Sequence, residues 1–159
     1  MNFKVGFGYD VHQLSEGYEL WLGGIKIEHS KGAVGHSDAD VLIHAICDAL
    51  LGAANLRDIG YHFPDSDPKY KGIDSKLLLK EVCVLLHKKK FKIGNIDTTI
   101  CLEKPKINPY IPTMQQGLAR IMKIEPGKLS IKATTKEKMG FVGEEQGIEA
   151  FAVVLIYDK

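Results

Sequence analysis

The sequence predicts an α+β fold: a single domain, residues 1–159, built on one mixed β-sheet with its helices packed on one face. Three observations predict it. Residues 3–12 alternate strictly, with Phe3, Val5, Phe7, Tyr9 and Val11 on one side and Lys4, Gly6, Gly8, Asp10 and His12 on the other, the period of a half-buried strand. Three later segments repeat apolar residues at helical spacing. The last segment, 148–157, is apolar on both sides, with Ile148, Ala150, Ala152, Val154 and Ile156 facing one way and Phe151, Val153, Leu155 and Tyr157 the other, so both faces are covered. Helices can cover one. The other is read as a subunit interface, which predicts sheets facing each other in an oligomer; helices on both faces are the alternative.

The elements follow in order. A second strand or hairpin spans 19–27, interrupted by Gly23-Gly24. A glycine-bearing loop, 31–36, leads to Ser37, a good N-cap, with Asp40 at the third helical position. The first helix then spans 38–54, with Asp38 and Asp40 in its first turn suiting the positive end of the helix dipole. Residues 58–68 are rich in turn formers and read as an ordered loop. A second helix covers 75–87, and Lys88-Lys89-Lys90 decorates its negative end. A strand covers 95–103. Pro105 and Pro109 bracket a loop, a third helix covers 111–122, and strands at 129–134 and 148–157 complete the sheet.

Composition narrows the function classes. The chain is 45% hydrophobic and 26% charged, with 21 basic against 20 acidic residues. That balance excludes a disordered tail or a disulfide scaffold, and it predicts neither a nucleic-acid nor a membrane surface. Cys47, Cys83 and Cys101 are far apart, without a C-x-x-C pair, which predicts small buried thiols in a reducing compartment. No run approaches the roughly 18 apolar residues of a membrane span, and the N-terminus has no signal core. The expectation is a cytoplasmic protein, or the mature form of an organellar one.

Two constellations carry chemistry. In Asp10-Val11-His12 the carboxylate and the imidazole share one strand face, beside glycines that let something approach the backbone. By itself this spacing also fits a solvated surface. His44 lies in a largely apolar helical stretch, Val41 to Ile46, where an imidazole needs a partner. A hydrogen-bonded core histidine satisfies that need; so does a metal. Joined to Asp10 and His12, it would give three protein ligands and one open position, the arrangement of catalytic zinc. Asp48, one turn on, would then orient His44. His36 and Ser37 precede a helix start that can attract phosphate, and Thr134-Thr135-Lys136-Glu137 follows a strand end.

In this order these blocks resemble 2-C-methyl-D-erythritol 2,4-cyclodiphosphate synthases across essentially the whole chain. The resemblance runs through Gly8-Tyr9-Asp10-Val11-His12, His36-Ser37-Asp38-Ala39-Asp40, Asp58-Ile59-Gly60, Phe63-Pro64-Asp65-Ser66-Asp67-Pro68, Asp74-Ser75, Pro105-Lys106, Lys132-Ala133-Thr134-Thr135 and Gly140-Phe141. It implies a lyase of the non-mevalonate isoprenoid pathway, which converts 4-diphosphocytidyl-2-C-methyl-D-erythritol 2-phosphate to the cyclic diphosphate and CMP. It further implies Zn²⁺ on Asp10, His12 and His44, Mg²⁺ or Mn²⁺ on Glu137, and transition-state stabilisation by His36 and Thr135. Substrate contacts are implied for Asp10, His12, His36 and Ser37, for Asp58, Ile59 and Gly60, and for Phe63, Pro64, Asp65, Ser66 and Asp67. A cytosine pocket is implied from Leu102, Lys104, Pro105, Lys106, Ile107 and Asn108 with Ala133, Thr134 and Thr135, and further substrate contacts are implied for Lys136, Glu137 and Phe141. The resemblance implies a homotrimer with shared active sites. Glu144 departs from it, standing where relatives carry an arginine that lines an anion-binding cavity on the trimer axis. A zinc-dependent phosphodiesterase and a non-catalytic module binding zinc and a cytidine nucleotide fit the same residues.

Overall fold

In the computed structural model, which describes residues 1–158, the long alternating strand β1 (Phe3–Glu16) lies antiparallel to the last strand, β7 (Gly147–Asp158), from Phe3 opposite Tyr157 to Gln13 opposite Gly147. On the other side of β7, also antiparallel, runs β5 (Phe91–Cys101), with a bulge between Ile93 and Asn95. β6 (Leu129–Thr134) adds to β5 in parallel, and a short strand, β4 (Lys31–Ala33), pairs with the end of β1. The sheet is therefore mixed, in the order β4-β1-β7-β5-β6. A separate hairpin, β2 (Leu20–Leu22) and β3 (Ile25–Ile27), turns at Gly23-Gly24 as expected.

Three helices cover one face: α1 (Val41–Ala53), α3 (Ser75–Lys88) and α4 (Ile111–Met122). Their apolar stripes meet the inner residues of the sheet. Leu42, Ile46 and Leu50 of α1 are fully buried, as are Ala150, Ala152, Val154 and Ile156 of β7 and Ile96 and Ile100 of β5. Each large side chain so buried contributes about 1.5–3 kcal/mol. Short helices α2 (Ile59–His62) and α5 (Gly140–Gly143) lie in connections.

Among the described residues, no helix covers the outer face of the sheet. The alternation of β1 is as expected, but the face that packs inward is the glycine side. Phe3, Val5 and Phe7 are 61–69% exposed, and Val153 of β7 is exposed beside them. Periodicity assigns residues to two faces without saying which one is the core. The alternative of helices on both faces is thus overturned.

Several boundaries move. α1 begins at Val41 rather than Asp38, and its N-cap is Asp40 rather than Ser37. The loop expected at 31–36 opens with β4, the ordered loop at 58–68 contains α2, and β5 starts at Phe91 and ends before Leu102. The N-cap moves for a tertiary reason. The Asp40 carboxylate accepts from Ile43 N (3.1 Å) and also from Gly23 N (3.0 Å) and Gly24 N (2.7 Å). One fully buried side chain therefore caps the helix and clamps the hairpin tip to it.

Candidate metal centre

The inner face of β1 presents Gly6, Gly8, Asp10 and His12 in succession. What approaches the two glycines is α1 itself. A Cβ on Gly6 would stand 1.9 Å from the Ala49 carbonyl oxygen, and one on Gly8 would stand 1.9 Å from that of Ala45. No other residue permits this approach. It brings His44, in the first turn of α1, over Asp10 and His12.

Three donor atoms converge there. His12 Nε2 is 2.9 Å and His44 Nδ1 3.1 Å from Asp10 Oδ2, and the two nitrogens are 3.3 Å apart. One ligand atom from each residue lies within 4.8 Å of the others. The rings are oriented from behind. His12 Nδ1 is 2.9 Å from the Val34 carbonyl oxygen, an acceptor only, so Nδ1 carries the proton and the Nε2 lone pair faces the cluster. His44 Nε2 is 2.9 Å from Ser75 Oγ, and the Ser75 hydroxyl donates in turn to Asp38. Ser75 therefore accepts from His44 Nε2–H, which frees the Nδ1 lone pair. Ser37 Oγ lies 3.2 Å from the same Nε2 and accepts from Ala39 N. This is how proteins fix imidazole ligands to a divalent metal, and the two nitrogens and one carboxylate oxygen suit zinc chemistry.

Without a metal, a proton held in the cluster takes the place of the cation: burial alone would raise the Asp10 carboxyl, but hydrogen bonds from His12 and His44, which require a ring N–H turned inward, hold it at about 2. His12 is raised above its ordinary value, its burial overcome by the Asp10 carboxylate. In Asp40 burial prevails over the three backbone donors, and its carboxyl is raised.

Ser75 and Asp38 were not legible as partners of His44. Asp48, expected in that role, instead accepts from Ile59 N at 2.8 Å and anchors α2. His36 sits in the loop before α1, and its Nε2 is the one buried side-chain atom among the described residues without a hydrogen-bond partner. Such an atom costs stability unless something else satisfies it.

The remaining expected residues form two further groups. Asp58 caps α2 through Tyr61 N, and Asp67 caps the turn at Pro68–Tyr70 through Lys69 N. Phe63 packs edge-on against Tyr70, while Gly60, Asp65 and Ser66 are exposed and Pro64 is half-buried. Past β5 and β6, the side chains of Leu102 and Ile107 join the core, Lys104, Lys106 and Asn108 are exposed, and Pro105 is half-buried. Leu102 N donates to Thr134 O, tying that segment to the end of β6. Ala133 and Thr134 are exposed at that end, and Thr135, Lys136, Glu137 and Phe141 follow on the surface.

Ala133 is not beside Asp10, although Phe141 of the same group packs at Gly147, opposite Gln13 of β1. Asp10 is in register with Ala150, Ala150 with Ile100, and Ile100 with Ala133. Three strand spacings therefore separate Asp10 from Ala133, about 14 Å.

The YgbB family model matches residues 3–157. A 2-C-methyl-D-erythritol 2,4-cyclodiphosphate synthase of Bacteroides fragilis is 66% identical over 156 residues, which span 98% of each chain. Among solved structures, the bifunctional IspDF of Campylobacter jejuni has a TM-score of 0.94 at 36% identity over 99% of this chain, which spans 43% of that longer protein. IspF of Plasmodium falciparum in a CDP complex has a TM-score of 0.87 at 34% identity, over 99% of this chain and 97% of that one.

Proposed function

The chain belongs to the YgbB family, and from that premise we infer that it converts 4-diphosphocytidyl-2-C-methyl-D-erythritol 2-phosphate to 2-C-methyl-D-erythritol 2,4-cyclodiphosphate and CMP. An oxygen of the 2-phosphate forms a bond to the β-phosphorus, the bond from that phosphorus to the bridging oxygen breaks, and CMP leaves with the electron pair. The observation that carries the reading is the convergence of Asp10, His12 and His44, with both imidazoles held in ligating tautomers by Val34 and Ser75.

Asp10, His12 and His44 would hold zinc, and Glu137 would hold Mg²⁺ or Mn²⁺. Bound there, the ions would polarise phosphate oxygens and neutralise charge. The nucleophile is already an anion, so no residue need act as a general base. His36, whose Nε2 lacks a hydrogen-bond partner, and the Thr135 hydroxyl would donate to the phosphoryl group in transfer. Asp58, Ile59 and Gly60 with Phe63 to Asp67 would position the sugar hydroxyls and the methylerythritol. Leu102 to Asn108 with Ala133 to Thr135 would receive the cytosine, in keeping with the CDP complex of the Plasmodium relative.

The reading includes a homotrimer with active sites shared between copies. Two observations support it: the apolar outer face of β1 and β7, and the separation of about 14 Å between Asp10 and Ala133. It also carries a cytoplasmic setting, consistent with three free thiols; no helix among the described residues is long and apolar enough to cross a membrane.

³¹P NMR of the protein with Zn²⁺, Mg²⁺ and the diphosphocytidyl substrate tests the reaction. CMP together with a cyclic diphosphate is the expected outcome. CMP with a ring-opened phosphate would make the protein a phosphodiesterase. No turnover by folded, zinc-loaded protein would make it a binding module.

A further inference from the structure

Glu149 lies on the outer face of β7, flanked in register by Val11 of β1 and Cys101 of β5, and it is 5% exposed. A carboxylate so buried needs partners for both oxygens. Oε2 accepts from the Tyr9 hydroxyl at 2.9 Å, and Oε1 faces Lys136 Nζ at 3.2 Å. Tyr9 precedes Asp10 in the chain; Lys136 lies between Thr135 and Glu137.

The Lys136 loop needs such an anchor. Glu137 and Lys138 adopt left-handed φ values of 52° and 62°, which non-glycine residues hold only when their surroundings impose them. Within the loop, Glu137 N donates to Thr135 Oγ1 at 3.3 Å and Met139 N to the Lys136 carbonyl at 2.9 Å. Lys136 is the residue fixed from outside: its N–H donates to Glu103 Oε2 at 3.1 Å, and its ammonium pairs with Glu149.

We propose that Glu149, acting through Lys136, is a positioning residue that fixes the loop carrying Thr135 and Glu137 and ties it to the strand carrying Asp10. The proposal rests on the functional reading above. It makes Lys136 an anchor of the loop rather than the substrate contact the resemblance implies.

The test uses the full chain with Glu149→Gln, Lys136→Met, the double variant and Lys136→Arg. In CMP release, kcat falls about tenfold in each of the first two and no further in the double variant, while KM stays within about twofold. Zinc content is unchanged, and Lys136→Arg recovers most of the rate. Independently of turnover, hydrogen–deuterium exchange of the peptide spanning 135–140 speeds up in Glu149→Gln and Lys136→Met without substrate. Unchanged exchange in both variants overturns the proposal. So do losses that add in the double variant. A raised KM in Lys136→Met with wild-type kinetics in Glu149→Gln also overturns it, and makes Lys136 a substrate contact. If the wild type releases no CMP, the functional reading fails, and the exchange comparison still decides the role of Glu149.

Discussion

Asp10, His12 and His44 sit where each ring nitrogen outside the cluster meets a fixed partner, whereas Thr135 and Glu137 sit on an exposed loop that turns through left-handed Glu137 and Lys138. The first half of the site is complete within one chain. α1 is pressed onto β1 by two glycines, and Ser75, Val34 and Asp38 set the tautomers from other elements. The second half has its own internal hydrogen bonds and the outside anchors of Lys136, but Thr135 and Glu137 themselves stand exposed. A centre that orients charge must be rigid before substrate arrives. A loop that closes over phosphates can be completed by a neighbour.

The largest expected effects come from breaking each half alone. His12→Ala should lose zinc in metal analysis, and CMP release should fall more than about 1,000-fold, since the Lewis acid is worth several kcal/mol. Thr135→Ala should keep its zinc and still lose most of the turnover. Mixing the two inactive variants, unfolded and refolded together, sharpens the comparison. If each site takes its metal from one copy and its loop from the next, random assembly restores about a quarter of wild-type activity. No recovery, with mixed assemblies demonstrated, would place both halves in a single chain.

Ser75→Ala addresses the outer support of the first half. Losing the acceptor for His44 Nε2–H should weaken zinc binding about 10–100-fold in a chelator competition, and the melting temperature of the zinc-loaded protein should fall with it, since that factor is about 1.4–2.7 kcal/mol of linked stability. An unaltered zinc affinity would mean that packing in α1 alone orients His44.

How far this was legible in the sequence differs between the same two regions. Period-2 alternation put Asp10 and His12 on one face, and an imidazole in an apolar helix demanded a partner, so the metal half could be assembled on paper. Ser37 satisfied the local capping rule, yet Asp40 caps the helix, because its carboxylate also reaches Gly23 and Gly24, some 16 residues away in the chain. Ser75 and Asp38 were invisible as partners of His44 for the same reason: their pairing depends on how the 34–40 loop meets the start of α3. In the second half, Lys136 and Glu149 are 13 residues apart on either side of α5. Nothing in hydropathy or spacing announces an ion pair across that distance; the strand register creates it.

The smallest expected effect compares two thiols, one from each half. Cys47 is buried within α1, and burial pushes its thiol well above the ordinary value. Cys101 ends β5 beside Glu149 and the loop segment; burial raises it too, and the Glu149 carboxylate adds to the rise. A thiol raised in the fold ionises first in the unfolded chain, so both contributions to stability are lost only as the pH climbs past the unfolded value of about 9. At pH 8 the fold is intact, and alkylation reads local opening. Both cysteines should react slowly with iodoacetamide, and Cys101 should be labelled before Cys47, because the segment around it can open without moving α1 off β1. Equal rates would mean that the two halves open together and that the rigidity assigned to the metal half extends to the loop, whereas Cys47 first would make the metal half the looser of the two.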